Sequence, residues 1–191
     1  MREGRDVLVV ETKYGRIADV VCVDVLSDDV QYSVRRLATL GEIDMIAVVS
    51  LNPAGWEFLI EMNSLVRRHP VFASITNVTN VSSEPCKDGS EARCYGNSAV
   101  FANLDKYRPK AQPSADARSL IPAQLLGATG SVPLQYDQLI AAIAPMRQAM
   151  LVYELNLRLL REPNATNAPD QGYPSIRDVH VVDLPAPASS P

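Results

Sequence analysis

Cys86 and Cys94 bracket the polar stretch Lys-Asp-Gly-Ser-Glu-Ala-Arg, and two thiols at that spacing have three chemistries open to them. They can oxidise to a bridge, ligate a metal or attack an electrophile. Gly89 stands near the apex of the loop, and residues 72–83 and 95–104 on either side alternate as two strands running out and back. That hairpin predicts a Cys86–Cys94 disulfide, which would stabilise the fold by about 2–3 kcal/mol through restriction of the unfolded chain. Two reduced thiols in a reducing compartment are the competing reading. A metal site is less favoured, since neither His69 nor His180 is a natural partner for these sulfurs. The third cysteine, Cys22, lies in the apolar run 18–26 and reads as a buried small hydrophobe.

The remaining ionisable groups have plainer roles available. Asp24, Asp28 and Asp29 cluster after a strand and could ligate a cation, but Asp28 is explained by capping the next helix. His69 follows two arginines at a helix end, where a cationic imidazole gains from the dipole. His180 has Asp178 and Asp183 near it in sequence, which does not define a triad. Gly127-Ala-Thr-Gly130-Ser131 resembles a phosphate loop without its lysine. Asn77-Val-Thr79, Asn80-Val-Ser82 and Asn164-Ala-Thr166 match the glycosylation acceptor pattern, but the wet face of a strand is the favoured account of them. GxSxG, HExxH, CxxC and dinucleotide fingerprints are absent from the sequence, so catalysis has no motif to rest on, and no catalytic, cofactor or metal residue is assigned.

These groups must be carried by elements, and the apolar pattern draws them. Residues 6–12 and 17–26 are valine-rich and separated by Lys13-Tyr-Gly-Arg16, which predicts a β-hairpin. A helix follows Ser27 to about residue 40, with Val30, Val34 and Leu37 at helical spacing and Gly41 at its end. Residues 43–51 read as a buried strand. Asn52-Pro53 opens a second helix, closed by Pro70, in which Trp56, Leu59, Ile60 and Val66 make the apolar face. Residues 106–114 are linker-like, and a short helix is predicted near 115–126. Residues 136–161 give the longest predicted helix, with a joint at Pro145. Its side carrying Met150, Leu151, Leu155 and Leu159 offers contacts to a partner helix. Residues 176–184 predict one more strand, and 185–191 a disordered tail. The expected class is α+β, a mixed sheet with helices on one face plus a C-terminal helical segment. Residues 1–105 form the sheet domain, 106–162 a linker with helices packing on it, and 163–191 an extended tail.

Bulk properties exclude some functions. With 47% hydrophobic residues, 191 residues can bury a real core. A net charge of −4 with interspersed signs leaves no source for sequence-independent nucleic-acid binding. No window approaches the ~20 apolar residues of a membrane span. Residues 1–6 lead into no signal-type segment, so any anchor is expected outside this chain.

One likeness is carried by Ile43-Asp-Met-Ile-Ala-Val-Val-Ser-Leu51, the helix 56–68, Pro70-Val-Phe72-Ala-Ser-Ile75 and Val100-Phe-Ala-Asn-Leu104. This order resembles the periplasmic ferredoxin-like domains of PilN- and PilO-type pilus assembly proteins and their type II secretion relatives. The resemblance covers about a third of the chain. It implies a non-catalytic extracytoplasmic domain, excised from a membrane-anchored protein, that pairs with itself or a protein partner and needs no cofactor. The alternatives are an extracytoplasmic small-molecule sensor and, third, a cytosolic enzyme using a free Cys86 with Asp24, Asp28 or His180.

Overall fold

The computed structural model describes residues 7–50, 55–77, 98–102, 137–143, 149–155, 157 and 176–184. Leu8–Glu11 (β1) and Arg16–Val21 (β2) form the antiparallel hairpin the valine runs predict, with Leu8 opposite Asp19 and Glu11 opposite Arg16. Thr12 closes the turn. Its hydroxyl accepts the Gly15 N–H at 3.0 Å and donates to the Gly15 carbonyl at 2.7 Å. The strand expected through residue 26 stops at Val21, and Cys22–Leu26 is a 3₁₀ turn instead.

The first helix, Asp28–Thr39 (α1), starts after an extended Ser27, with Asp28 and Asp29 placing negative charge at the positive end of its dipole. Its end is a Schellman motif. Gly41 adopts φ +66°, its N–H reaches the Ala38 carbonyl at 3.2 Å, and the Glu42 N–H reaches Leu37 at 2.8 Å. Met45–Ser50 (β3), Gly55–Arg68 (α2) and Phe72–Asn77 (β4) follow, then Ala99–Phe101 (β5) and Leu139–Ala142 (β6). Ala149–Leu155 (β7) and Ile176–Asp183 (β8) complete the described elements.

β1 to β6 lie in sequence order in one sheet, and β7 pairs with β8 in a separate antiparallel ribbon. β2, β3 and β4 are mutually parallel. A parallel neighbour cannot be reached by a tight turn, and α1 and α2 supply the crossovers. β4 and β5 pair antiparallel, as the out-and-back reading of residues 72–104 requires. This is an α+β architecture, a six-stranded mixed sheet with two helices.

Alternation along the strands sorts the side chains to two faces. Ala18, Val20, Ile46, Val48, Ala73 and Ile75 share one core with Val30, Val34, Phe58, Leu59, Met62 and Val66 from α1 and α2. On the other face Phe72, Val100, Ala102 and Ala141 are buried beneath Leu151, Tyr153, Leu155 and Leu157. Tyr153 reaches across to Ser74. Burial pushes its phenol up from the usual value, and the Ser74 hydrogen bond opposes that shift.

The helix expected over 136–161 is therefore corrected. Its described part is β6 and β7, and Met150, Leu151 and Leu155 lie on β7 rather than on a partner-seeking helix face. Leu151, Tyr153 and Leu155 alternate toward the sheet while Met150 and Glu154 face outward, a two-residue period that a strand satisfies. Pro145 between the two segments removes a helical N–H donor. Leu159, the short helix near 115–126 and the side chain of Trp56 lie outside the described residues.

Candidate functional site

The register of the parallel strands lines up a row of polar residues at their carboxyl ends. Val21 of β2 stands opposite Val49 of β3, and the next residues along are Cys22 and Ser50. Ser50 in turn stands opposite Asn77, the last residue of β4. In open sheets of this kind the crevice outside the carboxyl ends of parallel strands is where ligands bind.

Cys22 is the non-glycine residue with positive φ, +49°, among the described residues. An L-residue with a Cβ avoids that conformation by about 1–2 kcal/mol, so the surrounding structure imposes it. Cys22 is a free thiol, half-buried and packed against the main core, so the expected apolar role holds although burial is partial. The apolar run 18–26 breaks at this residue because β2 turns there into the 3₁₀ segment. Ser50 donates its hydroxyl proton to Cys22 Sγ at 3.8 Å. Ser50 is only 3% exposed, whereas Val21 and Val23, next to Cys22 in the chain, and Val49, next to Ser50, are 60%, 61% and 52% exposed. Asn77 is buried as well. Its backbone N–H is accepted by Ser98 Oγ at 3.0 Å, and the Ser98 hydroxyl donates to the Asn77 carbonyl at 3.2 Å.

Other sequence candidates lie apart from this row or outside the described residues. Asp24 lies two residues on, and its carbonyl takes the Ser27 N–H at 3.0 Å. Asp28 and Asp29 are exposed in the first turn of α1. Among the described residues no three His, Cys, Asp or Glu side chains gather to hold a metal. His180 is exposed on β8, opposite Val152 in the ribbon.

His69 sits beyond α2 with its Nδ1 3.2 Å from Thr39 Oγ1. The dipole gain expected there is outweighed. Burial first, then the charges of Arg35 and Arg68, hold its imidazole below the ordinary value. Asn77 of the first sequon is buried at the end of β4, so it is not on a wet face. Cys86, Cys94, the other two sequons and the segment 127–131 lie outside the described residues.

Two features of the sequence carried a signal for the thiol that its composition hid. An apolar strand ends at Cys22-Val-Asp24 and a helix start follows within a few residues, which is a strand-to-helix junction. Ser50 ends a strand as the polar residue after Ala-Val-Val, but its closeness to Cys22 comes from parallel pairing, which local sequence does not encode.

No protein-family model matches this chain, and no curated protein sequence does either. Among solved structures it is similar to a CN-hydrolase superfamily protein from Xanthomonas campestris, whose crystal structure has an arsenic adduct in the active site. The two are 21% identical, with a TM-score of 0.40, over 53% of this chain and 37% of that one. The chain thus spans well under half the length of that protein.

The likeness to PilN- and PilO-type domains is corrected by this outcome, for no protein of that kind is matched. The topology gives the physical reason. A ferredoxin-like sheet built from consecutive antiparallel pairs does not accommodate the parallel β2–β3–β4 core. The non-catalytic interaction domain that this likeness implied falls with it. The CN-hydrolase neighbour, at a TM-score of 0.40, carries no argument about activity.

Proposed function

We propose that this protein is an enzyme of nucleophilic thiol chemistry, with Cys22 as the attacking residue. The observation that carries the reading is the conformation and place of Cys22. A non-glycine residue is held at φ +49° directly after the carboxyl end of a parallel strand, half-exposed. A strained strand-to-helix turn of this sort is how a nucleophile is presented above a sheet. A cysteine is the side chain best suited to such a position, because its thiolate is strongly nucleophilic near neutral pH.

The reaction class tested first is hydrolysis of an amide, whose carbonyl carbon is an electrophile that a thiolate attacks. With an amide, Sγ forms a bond to the carbonyl carbon, the carbon–nitrogen bond breaks, and the amine leaves with a proton. Water then cleaves the thioester, releasing the acid and restoring the thiol.

The test is labelling with iodoacetamide followed by peptide mapping. The tryptic peptide from Ile17 to Arg35 contains Cys22 and neither of the other cysteines. We expect Cys22 to alkylate faster in the folded protein than in urea, and Cys22→Ala to abolish hydrolysis across a panel of amides and nitriles. Alkylation no faster than in urea, or hydrolysis surviving in Cys22→Ala, overturns the reading.

A further inference from the structure

We propose that β1 pairs antiparallel with β1 of a second copy of this chain, joining the two sheets about a twofold axis at Val9. The inference does not depend on the role of Cys22. β1 ends the strand order β1-β2-β3-β4-β5-β6, so among the described residues one of its sides has no strand beside it. The hairpin fixes which backbone groups that side presents. Thr12 donates its N–H to the Gly15 carbonyl at 2.9 Å, and opposed pairs in an antiparallel ladder alternate between bonded and unbonded. Val10 with Ile17 and Leu8 with Asp19 are therefore the bonded pairs. The N–H and C=O groups of Val7, Val9 and Glu11 turn away from β2.

Monomeric proteins protect such an edge with a charge, a proline or a bulge. Residues 7–10 read Val-Leu-Val-Val, and the β1–β2 register runs without a shift. Leu8 and Val10 are 62% and 43% exposed on the face turned from the helices, while Val7 and Val9 pack on the core. The strand is also self-complementary. With Val9 opposite Val9 of the second copy, Leu8 of each meets Val10 of the other, and Val7 meets Glu11. The bonded pairs are then those whose backbone groups β2 leaves free, and the exposed apolar side chains of both copies gather on one face. With the axis moved to Leu8 or to Val10, one of those side chains faces a polar residue instead.

Charge agrees with this register. Glu11 is the one charged residue of β1. The axis at Val9 holds the two Glu11 residues at opposite ends of the pairing, about 14 Å apart along the strands and beyond the ~8 Å screening length at physiological salt. An axis at Glu11 would set the carboxylates against each other. An edge of this length is short beside the ~800 Å² that each partner gives to a stable interface, so the association is weak and grows with concentration.

The experiment is sedimentation equilibrium of the whole chain over about two decades of concentration, with reductant present to exclude bridging through cysteines. The mean mass is expected to rise from 20.8 kDa toward twice that value. Leu8→Lys loses the apolar pairs and brings like charges close across the axis, and should weaken association at least about tenfold. Val9→Pro removes an outward N–H that β2 does not use, and should also give a monomer. Adding Val10→Glu to Leu8→Lys opposes unlike charges across the axis and should recover at least about threefold of the loss. Circular dichroism confirms the fold of each variant, and Leu8 is exposed enough for its replacement to disturb little.

A natural chain that stays at 20.8 kDa throughout overturns the proposal. So does an association that Leu8→Lys leaves at full strength, which would place the contact on another surface. Association lost in Leu8→Lys and not recovered with Val10→Glu overturns the axis at Val9.

Discussion

Leu157 closes so tightly on Gly15 that a Cβ at Gly15 would lie 2.6 Å from Leu157 Cδ1. The same atom would lie 3.0 Å from Asp44 Oδ2, the carboxylate oxygen that accepts the Arg16 N–H at 2.8 Å. Gly15 is therefore where residues beyond β7 meet the turn between β1 and β2. Two further backbone bonds, Asp44 N–H to Arg16 and Phe72 N–H to the Asp44 carbonyl, join this corner to β4.

Gly15→Ala is expected to destabilise the protein by about 1–3 kcal/mol, the usual range for overpacking a filled site. Urea unfolding measures it. Adding Leu157→Ala makes room for the methyl, so the double variant should lose less than the sum of the two single losses. Strict additivity would show that the contact is not the cause.

Asn63 ties α2 to the start of β6. Its Oδ1 accepts the Gln138 N–H at 2.8 Å, and its Nδ2 donates to Asp137 Oδ1 at 3.0 Å. Arg67 pairs with the other Asp137 oxygen from a side chain that is 45% exposed. Burial ranks these contacts. Asn63→Ala leaves a buried N–H without its acceptor and should cost about 1–3 kcal/mol. Arg67→Ala should cost less than about 1 kcal/mol, because an exposed ion pair is screened. The order of the two losses in urea titrations is the check.

His69 predicts a pH dependence of stability. Its folded-state value lies below the ordinary 6.5, so below that pH the unfolded chain binds more protons than the folded one. Stability is then fully present above 6.5 and falls as the pH drops from there through the lowered folded value. His69→Gln should flatten this part of the profile. An unchanged slope between the variants would assign the effect elsewhere.

The bridge between Cys86 and Cys94 remains a proposal drawn from their loop alone. Intact-mass measurement without reductant should find the protein lighter by two hydrogens than its reduced form, with Cys22 as the remaining thiol. Three alkylatable thiols under those conditions would rule the bridge out.

Local order was legible where one pattern excluded the others. The valine runs around Lys13-Tyr-Gly-Arg16 admit little but a hairpin, and Gly41 after Val30, Val34 and Leu37 marks a helix end. Residues 149–155 were ambiguous for a definite reason. Leu151 and Leu155 are four apart, a spacing that shares a face in a helix and in a strand alike. Tyr153 between them decides for the strand, and it does so by packing over Ser74, a contact with residues far away in sequence. The candidate site was hidden for a related reason. Its members, Cys22, Ser50 and Asn77, lie at the ends of three strands whose parallel register is a long-range property. The positive φ of Cys22 is likewise imposed by the fold.

That backbone angle sets stability against reactivity at a single position. Glycine adopts φ +49° without the steric cost a cysteine meets, so Cys22→Gly should melt at a higher temperature than the natural protein. It would also have lost its thiol. A cysteine at position 22 therefore carries a backbone cost that a glycine there would not.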